Sequence, residues 1–242
     1  MPNEGEAGAT AGVGAPLAVV TGASSGIGAT LVRLLLAQGW CVIGLQRGAP
    51  AIEHPAFRAV SVDLSDGEAV TRAAAALPTP QALVHAAGVM RGGRLGELPP
   101  EHAAQMWRLH VDAATRLADA LLPRMAAQGA GRVVLVGSRT AHGQPGKAAY
   151  AASKAALVSL ARSWAAEVVA QGVTVNVVSP AATDTPLLAD PARAGTAPKL
   201  PPMGRLIRPE EVAALIAFLL GKSAAAITGQ EIQICGGASL PR

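Results

Sequence analysis

Short runs of β-branched residues alternate along this chain with longer stretches in which Ala and Leu recur at helical spacing. That alternation leaves few folds open. Strands separated by helices cannot close tight hairpins, so they pair in parallel, and a parallel sheet needs helices on both faces. The pattern predicts strands over residues 17–20, 41–45, 58–62, 82–85, 132–136, 173–178 and 231–234. Helices are expected from a glycine-rich turn to Gln38, then over 67–77, over 101–128 as one long stretch, over 148–171 and over 210–220. The expectation is a single doubly wound α/β domain over residues 16–242, with a seven-stranded parallel sheet. Residues 1–15, rich in Gly and Ala with two acidic residues, read as a flexible tail without the basic and apolar regions of a secretory signal.

Half of the 242 residues are apolar, which suits a large core. Aromatics are confined to Phe57, Phe218, Trp40, Trp107, Trp164 and a single tyrosine, Tyr150, so Ala, Val, Leu and Ile must fill that core. The net charge of +4 comes from Lys and Arg scattered singly, which argues against nucleic acid and mildly favours an anionic ligand. Cys41 and Cys235 sit in apolar runs as small hydrophobes, with no disulfide framework or metal cluster, as expected in a reducing cytoplasm. No apolar run is long enough to cross a bilayer, so no membrane partner is expected.

The segment Thr21-Gly22-Ala23-Ser24-Ser25-Gly26-Ile27-Gly28 lies between a predicted strand and a predicted helix. A helix N-terminus presents unpaired N–H groups to an anion, and glycines let a diphosphate approach the backbone, so this context points to a dinucleotide. At the end of the second strand, Gln46-Arg47 replaces the acid that often binds ribose hydroxyls. Gln46 does not repel a 2′-phosphate and Arg47 either pairs with one or is a solvated surface arginine; the residues favour NADP(H) and also admit NAD(H). Asp63, ending the third strand, suits either the adenine amino group or a helix cap that Ser65 or Asp66 would otherwise supply.

Tyr150 and Lys154 stand at i and i+4, on one helix face. An ammonium beside a phenol favours the phenolate, and a tyrosine tuned this way exchanges a proton with a carbonyl or hydroxyl oxygen. Ser138 follows the fifth strand, at the sheet edge where such folds place ligands, and its hydroxyl can bond the reacting oxygen.

The ordered set Thr21-Gly22-xxx-Gly26-x-Gly28, His85-Ala86-Ala87-Gly88, Ser138, Tyr150-xxx-Lys154, Asn176-xx-Ser179-Pro180 and Thr185 resembles the short-chain dehydrogenase/reductase family over nearly the whole chain. The closing run Gly204-Arg205-Leu206, Pro209-Glu210-Glu211-Val212-Ala213, Thr228-Gly229-Gln230 and Gly236-Gly237 is similar as well. The resemblance implies a Rossmann fold and hydride transfer between nicotinamide C4 and a carbonyl or carbinol carbon. It makes Tyr150 the general acid/base, with Ser138 orienting the substrate oxygen and Lys154 tuning the tyrosine and holding the nicotinamide ribose. Gly22, Ser24, Ser25, Gly26, Ile27, Gly28, Asp63, Leu64, Ala87, Gly88, Pro180, Thr183 and Thr185 would surround the cofactor with Tyr150, Lys154 and Arg47. The substrate, a small alcohol or ketone, would meet Arg139, Thr140, His142, Pro186 and Leu187.

Four positions depart from the family pattern. His85 stands where Asn is usual, and His110 aligns with the Asn counted as a fourth catalytic residue. His110 either joins the proton relay or is a half-buried helix histidine. Ser138 precedes Tyr150 by twelve positions, one fewer than expected, and Ala181 replaces a glycine. A 3-oxoacyl thioester is one candidate substrate; dihydrodiols, sugars and cyclic alcohols are equally open. The alternative is a cofactor-binding protein with impaired catalysis that acts through interaction. The resemblance further implies a homo-oligomer, a dimer or tetramer.

Overall fold

The computed structural model describes residues 14–48, 52–190 and 199–241. Most of the predicted tail, residues 1–13, lies outside them, as do residues 191–198 of the long irregular stretch after the sixth strand.

All seven expected strands are present: β1 (Leu17–Thr21), β2 (Cys41–Gln46), β3 (Phe57–Ser61), β4 (Ala82–His85), β5 (Gly131–Val136), β6 (Val173–Pro180) and β7 (Glu231–Ile234). They form one sheet in the order β3-β2-β1-β4-β5-β6-β7 with every pairing parallel, a doubly wound Rossmann fold. The chain starts in the middle, winds out to β3, returns to lay β4 beside β1, and winds out the other way to β7. Where the winding reverses, the loops leaving β1 and β4 diverge and open a crevice at the carboxyl ends of the strands.

Side-chain alternation on the strands divides the core. Val19, Ile43, Leu83, Val133 and Val175 face a layer built from α2 (Gly67–Ala76), α4 (Ala113–Ala127) and α5 (Ala148–Val168). Ala18, Val20, Val42, Val84 and Val134 face the opposite layer, where α1 (Gly26–Ala37) packs against α6 (Pro209–Leu220). Strands buried on both faces explain why the apolar runs lack a polar partner at every second place. No helix of the described residues is long and apolar enough to cross a membrane.

The long helix expected over 101–128 requires a correction. It consists of α3 (Pro100–Trp107), a π turn over Arg108–Asp112 and α4, continuous in path but wider in the middle. The extra residue of a π turn displaces one side chain from its helical position, and such bulges often sit at functional sites. Here the displaced region carries His110, buried completely. Smaller shifts occur at β3, which starts one residue earlier than expected, and at α5, whose last predicted turn tightens to a 3₁₀ turn over Val169–Gln171.

Asn176 fastens the outer edge of the sheet. Its buried side chain donates from Nδ2 to the Ile227 carbonyl (2.7 Å) and accepts the Gln230 N–H at Oδ1 (3.1 Å), fixing the approach to β7. Asn176→Leu strands both backbone groups, so it should lower unfolding free energy by about 2–4 kcal/mol in chemical denaturation. An unchanged midpoint would show that this pair of bonds does not hold β7.

Candidate active site

The crevice between the two windings is a cleft of about 640 Å³. Its floor is the turn from Gly22 to Gly28. Gly22 (φ +66°) and Gly26 (φ +52°) adopt left-handed conformations that side chains disfavour. A Cβ on Gly22 would come within 2.9 Å of Ala87, and one on Gly26 within 3.3 Å of Thr185. A Cβ on Gly28 would overlap the Gly22 carbonyl; Gly28 is buried beneath the turn and does not line the cleft. The first turn of α1 has no acidic residue, and its N-cap, Ser25, makes no side-chain capping bond. Bare amides and a positive helix end at a side-chain-free shelf are what a diphosphate requires.

One wall of the cleft is formed where β2 and β3 end. Gln46, Arg47, Asp63 and Leu64 all line it. Asp63 accepts the Ser65 N–H at Oδ1 (2.9 Å), while Asp66 caps α2 by accepting from Glu68 and Ala69. Gln46 donates to the Gly48 carbonyl, and its buried Oε1 has no partner among the described residues. An unpaired acceptor at this depth fits a sugar hydroxyl arriving from the cleft. Ala87 and Gly88 line the middle, and Pro180, Thr183, Thr185, Pro186 and Leu187 close the far side.

Ser138, Tyr150 and Lys154 meet in the same cleft. Ser138 leaves β5 as the N-cap of a 3₁₀ turn over Arg139–His142, its Oγ accepting the Thr140 N–H (3.2 Å). Tyr150 and Lys154 follow on the first turns of α5, and the lysine reaches inward to donate to the Val136 carbonyl (2.8 Å). Gly143 (φ +95°) and Gly146 (φ +74°) turn the short connection between them, so the missing residue does not part serine from tyrosine. Burial pushes the Lys154 ammonium down to about 7.

Behind this trio lie two histidines. Thr21 Oγ1 accepts the N–H groups of Ala86 and Ala87 (3.0 Å each), so its proton goes to His85 Nδ1 (3.0 Å). His110 Nε2 accepts the Val89 N–H (3.1 Å), which places the ring proton on Nδ1, toward Ser153 Oγ (2.9 Å). Ser153 in turn donates to the Tyr150 carbonyl (2.8 Å). The His110 ring stands edge-on to Tyr150, centroids 5.6 Å apart. Burial first and the Lys154 charge second hold the His85 imidazole at about 3. The same two causes, with His85 third, hold His110 well below its ordinary value. Both rings are therefore neutral, and both nitrogens of His110 are engaged in bracing the strand-four loop against α5.

Besides Gly28, two expected residues stand apart from the cleft. His142 is exposed at the end of the 3₁₀ turn, its ring against Gln233 (2.8 Å) and Glu231 (3.4 Å) at β7. His110 lies behind the wall and not on it. Conversely, Met90, Gln105, Leu109, Gln144 and Lys147 line the cleft without having been singled out. Lys147 alone had a readable signal: it precedes Tyr150 by three positions, one helical turn away.

For His85, His110 and Lys154 alike, folding lowers the pKa, so the unfolded chain binds more protons between the two values. Stability should thus be complete above the ordinary value and fall as pH drops toward the folded one. In urea denaturation of the cofactor-free protein, the midpoint should fall as pH is lowered from 6.5 toward 3 and rise from about 7 toward 10.5. His85→Asn should flatten the acid limb and Lys154→Met the alkaline one. Limbs that persist unchanged in these variants would assign the dependence to other groups.

A family model described as enoyl-(acyl carrier protein) reductase matches residues 22–239. The chain is 37% identical over 238 residues to cis-4-hydroxycyclohexanecarboxylate dehydrogenase of Sinomonas cyclohexanicum, covering 91% of this chain and 95% of that one. It is 33% identical over 235 residues to the 3-oxoacyl-[acyl-carrier-protein] reductase FabG of Escherichia coli strain K12, covering 91% and 96%. A solved structure of an actinorhodin polyketide ketoreductase variant with NADPH superposes with a TM-score of 0.86 at 27% identity, covering 94% and 98%. With the glycine shelf, the serine–tyrosine–lysine cleft and these likenesses together, the chain belongs to the short-chain dehydrogenase/reductase family of nicotinamide-dependent oxidoreductases.

Proposed function

We propose that the protein is an NADP(H)-favouring reductase or dehydrogenase of a small ketone or alcohol, with Tyr150 as general acid/base. The observation that carries this reading is the buried Lys154 one turn behind Tyr150, in a cleft shared with Ser138 and the glycine turn. A bound reduced nicotinamide would supply the hydride taken up by the carbonyl carbon. Ser138 hydrogen-bonds the carbonyl oxygen, and Tyr150 gives that oxygen its proton; in the oxidative direction Tyr150 takes the proton back. A charged Lys154 one turn away would favour the phenolate and make the phenol a better proton donor. Two hydroxyl side chains in one cleft suit chemistry at a carbon–oxygen bond.

The diphosphate would rest on Gly22, Ser24, Ser25, Gly26 and Ile27, with Gly28 beneath. Arg47 would pair with a 2′-phosphate, Asp63 and Leu64 would flank the adenine, and Ala87 and Gly88 the adenosine half. Pro180, Thr183 and Thr185 would face the nicotinamide end with Tyr150 and Lys154. His110 enters as a positioning residue for the helix turn that bears Tyr150. The NADPH-bound ketoreductase and FabG support a nicotinamide cofactor and a carbonyl substrate. A homo-oligomer, dimer or tetramer, accords with the exposed Trp107, Val169 and Phe218.

NADPH oxidation against a panel of ketones tests the chemistry. Tyr150→Phe should lower kcat by about 10²- to 10⁴-fold while NADPH still binds; undiminished turnover would overturn the mechanism. Wild-type cofactor binding with no turnover of any ketone would favour the non-catalytic role instead. For cofactor choice, Arg47→Ala should weaken NADP binding by about tenfold or more and leave NAD unaffected, as expected for losing a charge-assisted bond. Equal titration of both cofactors, unaltered in the variant, would refute the NADP preference.

A further inference from the structure

Two stretches of chain wall the cleft near its far end, and an ion pair joins their rims. The loop leaving β4 contributes Val89 and Met90 to the lining, and the stretch after β6 contributes Thr185, Pro186, Leu187 and Leu188. Arg91 and Asp190, just past these residues, do not line the cleft. They meet at its edge, where Arg91 Nη1 donates to Asp190 Oδ2 (2.9 Å). The two side chains are only 17% and 28% exposed, so salt and water screen this pair less than one at the open surface. The same nitrogen donates to the Met90 carbonyl (3.1 Å), which fixes the guanidinium on its own loop before it reaches across.

The two walls are held in different ways. The β4 loop is fastened along its length to three neighbours. His110 Nε2 takes the Val89 N–H, Met106 Sδ takes the Arg91 N–H (3.4 Å), and the Gly146 carbonyl takes the Gly93 N–H (2.9 Å). The opposite stretch is sewn down at its root, where Thr183 bridges to Ile207 and the Asp184 N–H reaches the Ile207 carbonyl. Beyond the root, residues 185–189 turn back on themselves. The Leu188 N–H bonds the Thr185 carbonyl (2.8 Å) and the Ala189 N–H bonds that of Pro186 (3.1 Å). Asp190 then carries the end of this turn to the braced loop.

We infer that Arg91 and Asp190 are positioning residues whose ion pair clasps the 185–188 wall against the cleft and slows release of the bound dinucleotide. The inference rests on the proposed nicotinamide reading and adds a control over how long that cofactor stays. Thr185 stands beside Gly26 of the glycine turn, so a wall that swings back uncovers the diphosphate shelf and the nicotinamide end together. Parting a largely desolvated, hydrogen-bonded charge pair acts chiefly on dissociation. The braced β4 loop is the fixed post, and the side that swings is the one bearing Asp190.

Stopped-flow displacement of NADPH from the intact chain, followed by its fluorescence, reads the release rate. Arg91→Gln and Asp190→Asn should each speed release about fivefold or more, with little change in association. Reversing the pair, Arg91→Asp with Asp190→Arg, should restore most of the slow release. The departure from additivity in the Arg91→Gln, Asp190→Asn double variant isolates this contact from whatever else either side chain touches. Release unchanged in both single variants, or still fast in the reversed pair, would overturn the inference. Hydrogen exchange of the cofactor-free protein distinguishes that failure from failure of the nicotinamide reading. The Leu188 and Ala189 amides should lose protection about fivefold or more in Arg91→Gln and regain it in the reversed pair, while amides of the sheet keep theirs. If NADPH does not bind yet exchange responds in this way, the clasp stands and the cofactor reading fails; if exchange is indifferent to Arg91, the clasp is refuted.

Discussion

Everything at the centre of the molecule depends on how β1 is tied to β4. Their backbones pair in register, with Thr21 opposite His85, but the sheet ends there and the two chains must part. The Thr21 hydroxyl takes over as the sheet bonds stop, collecting the N–H groups of Ala86 and Ala87 and passing its own proton to His85. One side chain thus pairs with three polar groups at the point where the winding reverses. The cleft opens directly above it, so its floor and the strand-four wall share a single anchor.

Around that anchor the protein concentrates charge sparingly. Lys154 is the one cation buried among the described residues, and its neighbours on the hidden side are two imidazoles that stay uncharged. A second positive charge there would repel the first in a medium that screens poorly. Histidine suits these positions in its neutral form: both nitrogens of His110 are bonded, and Nδ1 of His85 takes the Thr21 proton. The His110 brace also joins the loop that walls the cleft to the helix turn that bears the phenol, through Ser153.

Much of this was legible beforehand, and the exceptions have physical causes. Strands such as 132–136 and 173–178 announce themselves because both faces are buried and, Arg132, Thr174 and Asn176 apart, their residues are all aliphatic. The glycine turn and the Ser138, Tyr150, Lys154 set are local patterns joined by topology, and the fold brings them together. The π turn was invisible because adding one residue to a helical turn barely changes the apolar spacing of a stretch already rich in Ala. His142 was misplaced because the direction of a side chain leaving a 3₁₀ turn depends on what flanks it, here Glu231 and Gln233 from a strand ninety positions away. Lys147 escaped notice because helix α5 was expected to begin just after it, and a residue at a helix cap reads as loop.

The wide turn between α3 and α4 has a mechanical meaning as well. A residue inserted into a helix rotates everything before it by roughly 100° relative to everything after it. The face of α4 that packs on the sheet is therefore decoupled in phase from Gln105 and Leu109, which look into the cleft. Excising one residue from the bulge would straighten the rod and swing those two side chains off the pocket, with the buried face of α4 left seated. Leu109 also packs against the core beside α4, so the bulge is where the pocket rim and the packing below it meet.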